Sequence, residues 1–170
     1  MRAADTGLYV IMGVSGSGKS LIGATLARAL DLEFVEGDDL HPPHNVKRMA
    51  AGIPLTDDDR RGWLTAIAAR LREAKRGGVG LVAACSALKR SYRDLLRSVG
   101  AADARFVYLA GSRPLLAERM AQRRGHFMPP SLLDSQLATL EEPSPEERAW
   151  VCDITQTPHA IVADLVARSA

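Results

Sequence analysis

Gly13-Val14-Ser15-Gly16-Ser17-Gly18-Lys19-Ser20 satisfies the pattern G-x-x-x-x-G-K-[ST]. Its setting matches what the pattern requires. The apolar run Leu8–Met12 before it has strand composition, and a helical pattern over Lys19–Leu30 begins inside it. Glycines let the backbone curl until successive N–H groups converge on one anion. The helix N-terminus adds positive partial charge to the same point. In such a loop Lys19 reaches β- and γ-phosphates, and the Ser20 hydroxyl can ligate Mg²⁺. The whole stretch, Gly13, Val14, Ser15, Gly16, Ser17, Gly18, Lys19 and Ser20, is therefore a candidate ATP cradle. A dinucleotide fingerprint is the nearest alternative, and Asp38 even falls where its ribose-binding acid would sit. It needs a third glycine where Leu21 stands, and the Lys19-Ser20 pair decides against it.

Working outward, four more short apolar runs look like strands: Phe34–Glu36, Gly80–Cys85, Phe106–Leu109 and Trp150–Ile154. Near-continuous apolarity suits a parallel sheet covered on both faces. Helical patterns lie between them, at Asp57–Arg76, Lys89–Val99, Ser112–Arg124 and His159–Ser169. Strand alternating with helix predicts an α/β fold, with five parallel strands flanked by helices and right-handed crossovers. Thr56 with Asp59 fits a capping box, and so does Ser144 with Glu147, where Pro145 opens a helix. Gly125 follows Arg123 and Arg124 where a left-handed cap residue belongs. Two stretches resist the scheme. Asp38–Gly62 is rich in Pro, His, Asn and Asp, and Gly125–Pro130 interrupts a helical region. Irregular segments of this kind are usually functional. They predict a substrate-binding insertion at about 38–62 and a lid at about 123–131.

The remaining bounds are broad. A length of 170 residues predicts a single domain over 1–170. Lys plus Arg number 22 against 20 Asp plus Glu, a net charge of +2 that argues against a nucleic-acid scaffold. Cys85 and Cys152 form no C-x-x-C pair and end apolar runs, which predicts core packing. Met1–Gly7 does not read as a signal peptide, and the longest apolar run is too short to span a bilayer. The expectation is a cytoplasmic protein without a membrane partner. By segment the charge is uneven. Arg113–Met128 and Ser86–Arg97 each hold four cations and one acid, while Leu140–Asp153 holds five acids and one arginine. This predicts cations gathered at an anionic site and acidity placed elsewhere.

A phosphate cradle alone does not separate kinase, ATPase and GTP switch. No N-K-x-D guanine reader is present, and Ala84-Cys85-Ser86 ends the third strand without a carboxylate. The candidate acid is Asp38, after the second strand, where ligands bind in open α/β sheets. It could accept the proton of an attacking hydroxyl and touch Mg²⁺ through water. His41, His44 and Asn45 cluster, and their imidazoles and amide suit hydrogen bonding to a polyhydroxylated acceptor better than zinc, which wants a third ligand. Asp57–Asp59 complement the dipole of the helix they begin. Arg60 could form a fork around a carboxylate, and Lys89 or Arg90 could meet substrate or phosphate. Arg119 and Arg123, four apart, would share a helix face and neutralise the transferring phosphoryl group. An ATP-binding regulatory module without transfer activity would need neither Asp38 nor these arginines.

Together these segments resemble the gluconate kinase family, P-loop sugar-acid kinases related in fold to shikimate and nucleoside monophosphate kinases. The matching pieces are the phosphate loop, Glu36-Gly37-Asp38 with His41-Pro42, and Asn45, Met49 and Gly52. They continue through Pro54-Leu55, Asp57-Asp58-Asp59-Arg60, Trp63-Leu64, Cys85–Arg90, Tyr92-Arg93-Asp94 and His126-Phe127-Met128. Ser135-Gln136, Thr139-Leu140-Glu141 and Pro143 complete the series. The resemblance implies ATP- and Mg²⁺-dependent phosphorylation of D-gluconate at its 6-hydroxyl. By that likeness Asp38 is the base, and the phosphate-loop and phosphoryl-neutralising roles add Lys19 and Arg123 to the catalytic set. His41, Arg48, Arg60, Lys89, Arg90 and His126 would line the substrate side. Arg48 stands where the family often shows lysine. Dimers are frequent in the family, so a homodimer is expected from the likeness alone. Shikimate kinase, or another small-acceptor kinase, is the alternative activity.

Overall fold

Apolar runs too short for helices become strands covered on both sides. In the computed structural model, which describes residues 5–123 and 131–170, five strands form one parallel sheet in the order β2-β3-β1-β4-β5. They are β1 (Leu8–Met12), β2 (Glu33–Glu36), β3 (Leu81–Ala84), β4 (Arg105–Ala110) and β5 (Trp150–Asp153). All five residues of β1 are buried, as a central parallel strand demands. Around the sheet lie α1 (Lys19–Leu30), α2 (Pro43–Ala50), α3 (Asp57–Arg76), α4 (Arg90–Leu95), α5 (Arg113–Gln122), α6 (Ser131–Thr139) and α7 (Pro158–Ser169). Leu26, Ile67 and Leu71 come from helices and Val10, Val82 and Val107 from strands to make a solvent-free core. Cys85 and Cys152 belong to it, and burial pushes the Cys85 thiol up to about 12. Among the described residues no helix is long and apolar enough to cross a membrane.

The α/β class, the five strands and the parallel sheet agree with the sequence expectation, and the differences are local. The insertion is not irregular throughout. It contains a 3₁₀ turn at Gly37–Leu40, then α2, then the start of α3. The pair Pro42-Pro43 hid α2. Proline at a helix start gives up only an N–H that lacks a partner there anyway. Ser144 and Glu147 do make their capping box, but the helix is one turn, Pro145–Glu147. Arg148 then turns left-handed (φ 55) and β5 begins. The helix expected over Lys89–Val99 runs as α-helix only to Leu95 and finishes as a wider turn, Leu96–Gly100. Helix α5 stops at Gln122, and Arg123 is extended (φ −79, ψ 131), so Arg119 and Arg123 do not share a helix face. Gly125 and most of the expected lid lie outside the described residues.

Register brings the ends of three strands level. Glu36 pairs with Ala84, and Ala84 pairs with Ile11. The segments leaving β1, β2 and β3 therefore emerge side by side on one edge. Gly37 makes the closest approach there. A Cβ at that position would lie 2.1 Å from the Ala84 carbonyl oxygen, which is backbone and cannot swing aside. The same glycine carbonyl accepts the Trp63 indole N–H at 2.7 Å. Gly37→Ala should cost about 1–3 kcal/mol, as overpacking does. It should also displace Asp38, its neighbour. Urea unfolding and turnover should therefore fall together, and a variant with native stability would contradict the close approach.

Candidate active site

The phosphate loop leaves β1 and enters α1 with the backbone its glycines permit. Gly16 has φ 84, and a Cβ there would also meet the Leu116 carbonyl oxygen at 2.7 Å. An L side chain would be strained twice over at that position. Lys19 donates to the Val14 carbonyl at 3.1 Å, so its ammonium folds back over the loop. Burial pushes the Lys19 pKa down, while the carboxylates of Asp38 and Glu36 pull it up. The ammonium is thus held against two acids in a site built for anions. The Ser20 hydroxyl donates to the Glu36 carboxylate, which also accepts from the Asp38 backbone N–H at 3.3 Å.

One cavity joins this loop to the 3₁₀ turn and α3. Ser15, Lys19 and Ser20 line it from the loop, and Asp38, His41, Arg60 and Trp63 line it from the 3₁₀ turn and α3. Arg123, Ser135 and Gln136 line it as well. Gln136 reaches the loop directly, its side-chain oxygen accepting the Ser15 backbone N–H at 2.8 Å. The His41 ring stacks on Trp63 with centroids 4.1 Å apart and planes at 15°. Burial lowers the His41 pKa to about 4, although Asp38 opposes the shift. Its imidazole is neutral at physiological pH. Arg60 donates to the Tyr92 hydroxyl at 2.8 Å, and that hydroxyl donates in turn to Asp57. Two links thus set the direction of the Arg60 guanidinium.

A second cavity lies on the other side of the loop. Gly16, Ser17, Gly18 and Leu21 line it with Arg119, Arg123, Gln156 and Pro158. Arg119 is fixed by a 2.6 Å bond to the Ile154 carbonyl. Arg119 and Arg123 therefore border one space despite leaving different backbone, and Arg123 borders both cavities.

Other cations named from sequence stand outside the first cavity's lining. Lys89 bonds both carboxylate oxygens of Asp57, at 3.1 and 3.3 Å. Arg90 is held by Ser144 at 2.9 Å and Glu146 at 2.6 Å. Arg48 meets Asp59 at 3.3 Å and the Pro54 carbonyl at 3.4 Å. His126 lies outside the described residues. The charge segregation read from sequence is corrected here. Arg90, Arg93 and Arg97 of one segment pair with Glu146 and Glu147 of the other. Opposite charges far apart in sequence neutralise each other because burial or partial burial of either alone is costly.

Three residues at the site carried no role in the sequence reading. Glu36 had a usable signal, as the last residue of a strand whose end faces the loop. Gln136 and Tyr92 had none beyond the family likeness, since their partners, Ser15 and Arg60, lie 121 and 32 positions away.

Known proteins resemble this chain over most of its length. A family model described as an AAA domain matches residues 8–143. The gluconokinase of Gluconobacter oxydans (strain 621H) is 47% identical over 157 residues, covering 92% of this chain and 88% of that protein. The crystal structure of a gluconokinase from Sinorhizobium meliloti 1021 superposes with a TM-score of 0.87 at 50% identity. That match covers 98% of this chain and 93% of the other. A shikimate kinase from Acinetobacter baumannii, with shikimate bound, reaches a TM-score of 0.57 at 18% identity, over 94% of this chain and 90% of that one. The last likeness speaks to the fold alone.

Proposed function

The chain belongs to the gluconokinase family, and from that premise we propose that it transfers the γ-phosphoryl group of ATP to the 6-hydroxyl of D-gluconate. The products are 6-phospho-D-gluconate and ADP. The observation that carries the reading is the shared cavity. It sets Lys19 and Ser20 of the phosphate loop against Asp38, His41 and Arg60 of the acceptor segment. Bare nucleotide binding calls for no such second wall.

Each residue has a task. Backbone N–H groups of Gly13–Ser20 hold the triphosphate, and Lys19 neutralises its β- and γ-oxygens. Asp38 accepts the proton of the attacking hydroxyl as the new O–P bond forms and the bond to the ADP oxygen breaks. Arg123 offsets the charge spread over the moving phosphoryl group. Arg119 and the second cavity hold the rest of the nucleotide. Arg60, aimed by Tyr92, offers a planar fork suited to the gluconate carboxylate. His41 meets a hydroxyl. Lys89, through Asp57 and Tyr92, supports Arg60 at one remove, Arg48 and Arg90 are held by acids and receive no contact role, and His126 keeps its place on the substrate side by the family likeness.

The site's donors also suit Mg²⁺. The Ser20 hydroxyl and the carboxylates of Glu36 and Asp38 are hard oxygen ligands, and Ser20 and Asp38 line one cavity. Mg²⁺ is commonly held by one or two carboxylates with waters and phosphates, and this set has that size. Once bound, the ion would neutralise charge developing between the β- and γ-phosphates.

The test is a coupled ADP-release assay with Mg-ATP and a panel of gluconate, shikimate, glucose and nucleoside monophosphates. Turnover should require gluconate. ADP release driven by shikimate, or no gluconate-dependent turnover at millimolar concentration, would overturn the reading.

A further inference from the structure

Asn45 is polar and 1% exposed, on a helix that touches the acceptor wall. Its side-chain nitrogen lies 2.7 Å from the Asp59 carbonyl oxygen and 3.1 Å from His41 Nδ1. A carbonyl oxygen can only accept, so the Asn45 NH₂ group, and not its amide oxygen, faces Asp59. That nitrogen carries two hydrogens and offers no lone pair. His41 Nδ1 therefore meets a donor and must itself accept. A proton on Nδ1 would set donor against donor in a buried place. The plane of the ring is fixed, because it lies flat against Trp63, whose indole N–H is anchored on the Gly37 carbonyl.

We propose that Asn45 is a positioning residue that locks His41 as the Nε2–H tautomer, so that the imidazole faces the acceptor as a hydrogen-bond donor. The consequence is a division of labour in the cavity that His41 shares with Asp38. A neutral imidazole with a bare Nε2 would compete for the proton of the incoming hydroxyl. With Nε2 protonated it can only donate to a hydroxyl oxygen. That orients the acceptor and leaves proton acceptance to the Asp38 carboxylate. A donor of this kind selects a polyol, which presents oxygen lone pairs to it, over an apolar isostere.

The role in orienting gluconate rests on the kinase reading above, but the tautomer does not. Long-range ¹⁵N–¹H NMR of the full chain at neutral pH, without substrate, reads it directly. His41 should carry its proton on Nε2, and Asn45→Ala should give a mixture of tautomers. A wild-type proton on Nδ1 would overturn the proposal, and so would a pure Nε2–H form in Asn45→Ala. Kinetics supply the second arm. Loss of one neutral hydrogen bond should raise KM for gluconate about 3–10-fold in His41→Phe, with KM for ATP unchanged. His41→Gln, whose amide can still donate, should recover most of that loss. Equal losses in the two variants would also overturn the proposal, even if Asn45→Ala fails to fold. Absence of gluconate turnover in the wild type would instead remove the kinase reading and leave the NMR result standing.

Discussion

Asp38→Asn should lower turnover on gluconate about 10²–10⁴-fold, the usual worth of a positioned general base. ATP affinity should change little. The substitution is nearly isosteric, so the 3₁₀ turn and the backbone bond from Asp38 to Glu36 can persist. What disappears is the capacity to accept a proton beside the phosphate loop. Lys19 sits in the same cavity and feels the Asp38 charge, so its pKa should drop further in the variant. The remaining pull of Glu36 opposes that drop, and the backbone N–H groups of the loop still hold the triphosphate. Steady-state turnover and a separate nucleotide titration distinguish the two effects. If Asp38 acted chiefly through metal-bound water, excess Mg²⁺ would restore activity to the variant. Full restoration by Mg²⁺, or unchanged turnover, would remove it as the base.

Why Asp38 could be singled out from sequence, and the partners of Asn45 could not, is a matter of range. The phosphate loop is a local motif whose strand, turn and helix are contiguous, and Asp38 follows the next strand on the same edge. Apolar runs marked the strands for the same reason, since burial on both faces leaves a continuous signature. The fold class therefore needed no long-range information. Helix α2 was missed because two prolines resemble a breaker until the first helical position is known. Asn45 carries meaning only once Asp59 has folded back on it, fourteen positions later. Arg60 was singled out for its unusual place in a first turn, but its aim depends on Tyr92 from another helix. Charge counting went furthest astray. It took cations in Ser86–Arg97 as free for an anionic ligand, whereas Arg90, Arg93 and Arg97 meet acids more than 45 positions away. Net charge by segment says how many charges exist, and only the tertiary fold says which of them remain unneutralised.

The pair at the centre of that network should matter most for stability. Arg93→Met or Glu147→Gln should each cost about 3–5 kcal/mol, because each leaves a buried charge without its main partner. The two side chains are 0% and 1% exposed. They meet in a fork of 2.7 and 3.1 Å, and Arg97 adds a third bond to Glu147 at 2.9 Å. The remaining Arg93 nitrogen donates to the carbonyls of Ala87 and Leu88. Ala87 holds a left-handed backbone (φ 46), uncommon for a residue with a Cβ, and Leu88 lines the acceptor cavity. The ion pair thus pins a strained turn against the site. Its dependence on pH has a definite sign. Burial alone would raise the Glu147 pKa, but hydrogen bonds from Arg93, the Ser144 N–H and Arg97 overcome it and hold the carboxyl at about 2, against 4.5 ordinarily. A folded pKa below the unfolded one gives stability that is complete above the unfolded value and is lost as pH falls toward the folded one. That loss amounts to about 3 kcal/mol, at roughly 1.4 kcal/mol per unit. Urea unfolding from neutral pH down to about 2 should show this decline in the wild type, and Glu147→Gln should remove that share of it. An unchanged acid slope in Glu147→Gln would contradict the assignment. Arg93→Met combined with Glu147→Leu should recover much of the loss, since apolar replacement of a whole buried pair is often neutral or stabilising. The double variant should nevertheless lose activity, because the Ala87 carbonyl loses its Arg93 donor and the Leu88 carbonyl keeps only the Glu141 N–H. Recovery of stability without recovery of turnover would separate the energetic role of the pair from its role in shaping the cavity.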